Sequence, residues 1–377
     1  MSSTKQSMMD NKLIKFKKLI YQDEVTDLNE LRSMAWAGVP PSVRHITWKL
    51  LLGYLPVVRE KRIAALTRKR SDYQHYVEQY YNNNRCPDDE IWRQIHIDIP
   101  RMQPLVSIFQ QEIVQRIFQR ILYIYSIRHP ASGYVQGMND LVIPFFVVYL
   151  SEFMPTHSLT ELDHLNVSTL SEEVLQGVEA DSFWSLNKLL DSIQDNYTFA
   201  QPGIQSLVNL LARVMSRIDS KLHNHLTCHN VHYLLFSFRW MNNLLIRELP
   251  LRCIIRLWDT YLAEGALTSS TANVTSSSTG STLSSSLLES SNLTSSTTTN
   301  NSLGNGSPFA ASFHLYVCAA FLRYWSKNLL QENDFQGLIL YLQNLPTFHW
   351  GDNEVELLVA DAYSLKETFT PNHLLSS

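Results

Sequence analysis

Between Val106 and Tyr125, the residues Phe109, Ile113, Ile117, Ile121 and Tyr125 recur at every fourth position. That spacing gathers apolar side chains on one face of an α-helix. His129-Pro130 then ends the pattern, because proline disfavours helix for the residue before it. The same period returns from Ile204 to Ile218, His232 to Ile246, Phe313 to Leu330, Phe335 to Leu345 and Val355 to Leu365. No stretch sustains an apolar-polar alternation bounded by hairpin turns. An all-α fold with no significant sheet is therefore expected, and only 12 glycines in 377 residues agree with it.

One segment departs from this pattern. From Ala266 to Pro308 the chain is mostly Ser, Thr and Asn, without Lys or Arg and with Glu289 as its only acid. Such a composition buries too little apolar surface to offset the entropy of ordering, so a disordered surface loop is expected there. Closure entropy grows only logarithmically with length, which makes such an insert tolerable between two helices. These would end near Leu262 and resume near Phe313.

Bulk properties exclude several classes. Hydrophobic residues make up 45% and charged residues 18%, a globular balance. The formal net charge of -4 argues against a nucleic-acid partner, which normally meets a basic excess. Cys86, Cys228, Cys253 and Cys318 lie far apart, which fits neither a disulfide framework nor a zinc ribbon and points to a reducing, cytoplasmic setting. The N-terminal residues lack an apolar h-region and a cleavage site, so no secretory leader is expected. The longest apolar run, Leu141 to Leu150, is half the ~20 residues that span a bilayer and reads as a buried helix. Any membrane contact is expected to be peripheral.

The signatures of a P-loop, a nucleophile elbow, a kinase catalytic loop and a zinc-protease helix are all absent. His225, Cys228, His229 and His232 would share one helical face, but a single short helix closes a tetrahedral metal site poorly. A polar, partly buried face is the simpler reading, and no metal is expected. The basic cluster Arg59, Lys61, Arg62, Arg68, Lys69 and Arg70 could meet an anionic surface, although such runs are usually solvated faces. Lys12, Lys15, Lys17 and Lys18 leave open a membrane-surface contact.

Two short stretches hold residue types suited to catalysis. In QIHIDIPRM, Pro100 places Arg101 at a turn where a long side chain can project, with Asp98 near enough in sequence to orient it. Alone, that pattern more often marks a structural ion pair. In ASGYVQGMND, Gly133 and Gly137 flank Gln136, whose amide both donates and accepts and so suits the fixing of a water molecule. Alone, that pattern is better read as a helix connection with a capping glutamine.

Taken together, the two stretches resemble the TBC domain, a helical GTPase-activating domain that acts on Rab proteins. The family's R-x-x-x-W motif appears as Arg44 and Trp48, its I-x-x-D-x-x-R as Ile95, Asp98 and Arg101, and its S-G-Y-x-Q-G as Ser132, Gly133, Tyr134, Gln136 and Gly137, in the family's order. Phe238 to Leu262 and Phe313 to Leu322 resemble its C-terminal half. The wording of IHIDIPRM, IRHPASGYVQG and DNYTFAQPGIQ resembles one branch of the family, which is itself similar to TBC proteins acting at the Golgi.

The resemblance implies a TBC domain of two helical lobes over residues 31–365, divided near Ala200 and interrupted at 266–308. A basic and polar extension (1–30) would precede it and a tail (366–377) follow. It implies that Arg101 is an arginine finger and Gln136 a glutamine finger, both supplied in trans to a GTP-bound Rab during vesicle traffic. Supporting roles would fall to Asp98 as the orienter of Arg101, to Arg44 and Trp48 as scaffold under the site, and to Tyr134, Gly137 and Asn139 on the docking surface. The chain would be no enzyme on its own and need no cofactor, since GTP and Mg²⁺ belong to the partner. The alternative is a scaffold that binds a GTPase or adaptor without catalysis.

Overall fold

The computed structural model describes residues 2–82, 90–154, 159, 162, 165–265 and 311–369. The Ser/Thr/Asn-rich segment, Cys86 and the last eight residues lie outside the described residues. The first half comprises α1 (Ser2–Lys17), α2 (Leu28–Trp36), α3 (Pro41–Leu51), α4 (Lys61–Tyr76), α5 (Glu90–Asp98), α6 (Glu112–Arg128), α7 (Met138–Leu150) and α8 (Glu172–Ser192). The second half comprises α9 (Pro202–Ile218), α10 (Ser220–Cys228), α11 (Leu234–Asn243), α12 (Leu251–Glu264), α13 (Ala311–Tyr324), α14 (Ser326–Leu329), α15 (Phe335–Gln343) and α16 (Asp352–Thr368). Among the described residues, extended pairing is limited to one isolated antiparallel bridge between Val25 and Val58.

The boundaries have local causes. The helix α6 stops at Arg128, one residue short of the His129-Pro130 pair. Asp27 caps α2 by accepting from the backbone N–H groups of Asn29 and Glu30. Ser171 caps α8, with Glu172 and Glu173 complementing the positive end of the helix. The apolar run from Leu141 lies within α7, which is buried on every side and packs against α3, α6, α8, α11 and α12. A helix apolar all round belongs at the centre of a fold, and α7 occupies that place.

Two groups of helices assemble about this centre. In one, α8 packs on α4, α6 and α7. In the other, α9 packs on α10, α11 and α13, while α13 packs on α16. The N-terminal end crosses between the groups, because α2 packs principally on α12. A division by chain position near Ala200 therefore misplaces α2. Residues 1–30, expected as an extension, contribute Phe16, Leu19 and Ile20 to the core. Those three sit at helical spacing and were masked in sequence by the surrounding lysines. At the other end α16 continues through Thr368, past the expected boundary at Leu365.

Candidate functional site

Arg101 ends a single 3-10 turn, Ile99–Arg101, that directly follows α5. The α5 helix buries Ile95 and Asp98 on its inner face, and Ile99 and Met102 are buried on either side of the turn. The Met102 N–H closes the turn on the Ile99 carbonyl at 3.1 Å. The backbone is thereby pinned on both sides, and Arg101 is left exposed between the two anchors.

Gln136 stands on the connection from α6 to α7. His129 ends α6 by stacking on Tyr125 with ring centroids 4.2 Å apart, and its carbonyl accepts from the Gly133 N–H at 2.8 Å. The Tyr134 hydroxyl then donates to Asp98 Oδ2 at 2.9 Å. Burial, and next the charge of Asp98, push the Tyr134 phenol far above its usual range, so it remains a donor. Gly137 follows with φ +105°, a conformation that disfavours any side chain. A Cβ there would also run into the side-chain amides of Asn242 and Asn243. Gln136 is left exposed beside this close approach.

The second group of helices completes the site. Asn242 at the end of α11 donates through Nδ2 to the Gln136 carbonyl at 3.2 Å. Its own carbonyl accepts from the Tyr197 hydroxyl at 2.5 Å. Asn243 donates to Oδ2 of Asp140, in the first turn of α7. Arg247 reaches the same oxygen through Nε at 2.6 Å. Burial raises the Asp140 carboxyl above its ordinary range, and Arg247 opposes that shift only in part.

Arg101 and Gln136 open onto one cavity of about 320 Å³, which Asp98, Gln103, Pro104, Asn139, Asp140 and Arg247 also line. Among the described residues Arg101 forms no ion pair, whereas Arg247 is paired with Asp140. Chemically, the cavity presents one uncommitted guanidinium, one tethered guanidinium and an exposed amide. The uncommitted guanidinium and the amide suit an anion undergoing reaction with water.

A model of the Rab-GTPase-TBC domain family matches residues 41–277. The chain belongs to this family. It is 51% identical over 365 residues to human TBC1 domain family member 22B, covering 96% of this chain and 63% of that protein. It is 42% identical to the GTPase-activating protein gyp1 of Schizosaccharomyces pombe, over 92% of this chain and 59% of that one. The chain thus spans under two thirds of the length of these relatives. Its fold matches the crystal structure of the Ypt/Rab-GAP domain of Gyp1p with a TM-score of 0.80 and 37% identity, covering 96% of this chain and 99% of that one.

Within this TBC domain the residues singled out in sequence separate into two places. Asp98, Arg101, Gln136 and Asn139 line the cavity, with Tyr134 and Gly137 supporting it. Asp98 was expected to orient Arg101, but its carboxylate accepts instead from Gln94 and Tyr134. It therefore ties α5 to the Gln136 connection and fixes the relation between the two side chains. Asn139 and Gly137, expected on the docking surface, are buried. The close approach that Gly137 allows is made to α11 of its own chain.

Arg44 and Trp48 lie away from the cavity and converge on buried Asp259 of α12. Arg44 Nε donates to Asp259 at 3.1 Å and the Trp48 indole N–H at 2.7 Å, while the Val39 N–H donates to the other carboxylate oxygen at 2.8 Å. Trp48 also stacks on Trp258 and meets Phe145 of α7 edge-on. It braces the middle of the helix whose first turn forms the site.

Sequence reasoning missed Asp140, Asn242, Asn243, Arg247 and Asp259. Asp140 adjoins the motif and could have been flagged as an acid at a helix N-terminus. The others carried no local signal, since their partners lie more than a hundred residues away.

The histidine cluster and the basic cluster also find internal partners. α10 ends at Cys228, so His232 leaves the shared face. His225 Nε2 meets the Glu332 carbonyl at 2.8 Å and His229 Nδ1 the His225 carbonyl at 2.8 Å. The basic cluster was expected to be a solvated face; Arg59, Lys61 and Arg68 are exposed, but Arg62 is buried against the carbonyls of Ile20 and Val57. Arg70 pairs with buried Asp181 at 2.7 Å, and Lys69 lies over the Trp184 ring at 3.8 Å. These three cations face α8 and the N-terminal segment, where a buried carboxylate, backbone carbonyls and the Trp184 ring receive them.

Proposed function

We propose that this TBC domain accelerates GTP hydrolysis by a Rab-family GTPase in its GTP-bound form, with Arg101 and Gln136 acting in trans as arginine and glutamine fingers. The observation that carries the reading is that both side chains project from pinned backbone into one open cavity. Each is exposed, and each is flanked by residues that the core or a neighbouring helix holds in place.

Phosphoryl transfer from GTP passes through a loose transition state whose charge spreads over the phosphoryl oxygens. A guanidinium without an internal partner can give its full charge to that state. An arginine finger is worth about 10³ to 10⁵ in rate, or roughly 4 to 7 kcal/mol of barrier. The Gln136 amide accepts from the attacking water and donates to an oxygen, which fixes the line of attack. The nucleotide and its Mg²⁺ belong to the partner, so the domain is no enzyme alone and needs no cofactor of its own. The names of the relatives support the activity, and the resemblance of its branch to TBC proteins acting at the Golgi supports a role in vesicle traffic at that membrane, reached peripherally or through an adaptor.

Single-turnover hydrolysis across a panel of GTP-loaded Rab proteins tests this. Wild type should accelerate at least one of them. Arg101→Ala should lower that acceleration about 10³-fold or more, and Gln136→Ala should also abolish most of it, with binding retained in both. Equal acceleration by mutant and wild type would remove the reading. Tight binding by wild type without acceleration of any Rab would leave a scaffold.

A further inference from the structure

The cavity holds a second guanidinium that the two-finger scheme leaves without a task. Arg247 follows α11, in the second half of the chain, whereas Arg101 and Gln136 come from the first. Its side chain is 42% exposed and its Nε is fixed at 2.6 Å from Asp140 Oδ2, on a carboxylate only 3% exposed. Asn243 donates to the same oxygen and holds the carboxylate in place. The attachment uses the inner edge of the guanidinium, which leaves terminal Nη donors for a group in the cavity mouth.

We propose that Arg247 is a docking residue that takes a carboxylate on the surface of the partner GTPase in the ground state. This rests on the reading of the domain as a Rab activator. Arg101 forms no internal pair among the described residues, so its charge is undiminished for a transition state. The charge of Arg247 is already partly offset by Asp140. A half-neutralised cation in a fixed orientation stabilises developing phosphoryl charge poorly, yet it offers a planar fork matched to a carboxylate. Interactions made equally in ground and transition states lower KM and leave kcat alone.

The test uses a Rab that wild type accelerates, with initial rates measured over a range of GTP-loaded Rab. Arg247→Ala should raise KM about tenfold and change kcat less than about threefold. Binding to the same Rab carrying a non-hydrolysable GTP analogue should weaken by the same factor. Because the alanine leaves buried Asp140 unpaired, Arg247→Lys is measured beside it. Lysine keeps a charge near Asp140 but loses the fork, and should reproduce most of the KM increase with an unchanged melting temperature. An Asp or Glu of the Rab changed to Lys should restore binding to Arg247→Glu. A fall in kcat at constant KM, or unchanged KM and affinity in both variants, overturns the proposal. If wild type accelerates no Rab, the activator reading fails, and the binding arm alone decides the role of Arg247.

Discussion

The side-chain amide of Asn242 donates to the backbone carbonyl of Gln136 at 3.2 Å, joining positions 106 residues apart. Asn242 is itself held by Tyr197, whose hydroxyl donates to its carbonyl. The proposed glutamine finger is thus positioned by the opposite half of the fold, through its main chain. Its side chain remains available.

Asn242→Ala should loosen the Gln136 connection and leave Arg101 untouched. The Asn242 amide also donates to Asn243 Oδ1 at 3.0 Å. Two neutral hydrogen bonds contribute about 1 kcal/mol each to stability, so the melting temperature should fall by a few degrees. Acceleration depends on the placement of a side chain to within an ångström and should drop about tenfold or more. Single-turnover assays beside thermal unfolding separate the two effects. A large loss of stability with proportionate loss of activity would contradict this account.

Gly137→Ala should be severe. The residue lies at φ +105°, and the added methyl group has no room beside Asn242 and Asn243. Backbone strain of this kind costs of order 1–3 kcal/mol before the clash is counted. Lower stability in urea unfolding and lost acceleration are both expected. Gly133→Ala has open space at Cβ but φ +60°, so it should be milder. Equal effects at the two glycines would mean that the approach to α11 is unimportant.

Asp259→Ala tests the scaffold apart from the site. It strands the Arg44 guanidinium, the Trp48 indole N–H and the Val39 N–H together. Removing one partner of a buried ionic network costs about 3–5 kcal/mol. Denaturant unfolding should register that loss, whereas the fraction that stays folded should keep a near-normal KM for its Rab.

His314 gives the stability a pH dependence. Burial lowers its pKa from 6.5 to about 4, against a smaller opposing effect of the Trp240 carbonyl. Because that carbonyl can only accept, Nε2 carries the proton and Nδ1 accepts from the Tyr261 hydroxyl at 2.7 Å. A histidine kept neutral by folding contributes stability that is fully present above its unfolded pKa. That contribution is lost as pH falls from about 6.5 toward about 4. It should amount to roughly 2 kcal/mol between about pH 7 and about pH 5. Subtracting the pH profile of His314→Gln from that of wild type isolates the term. Parallel profiles would show that His314 does not titrate in this window.

What the sequence determined by itself was local. The period of Phe109 to Tyr125 required a helix, Pro130 required its end, and Pro100 required that Arg101 leave a turn. Each follows from sterics or solvation within a few residues. The motif order brought Arg101 and Gln136 together as a pair before any geometry was available. What only the tertiary structure decided was the fate of charge. Arg62 and Arg70 could be read as a solvated face until the carbonyls and the carboxylate that hold them were in view. Asp98 could be assigned to Arg101 until Tyr134 took its oxygen, and nothing near Asp140 announced Arg247. A side chain's helical tendency depends on its immediate neighbours. An ion pair depends on which distant groups share its low-dielectric surroundings, and folding alone brings those together.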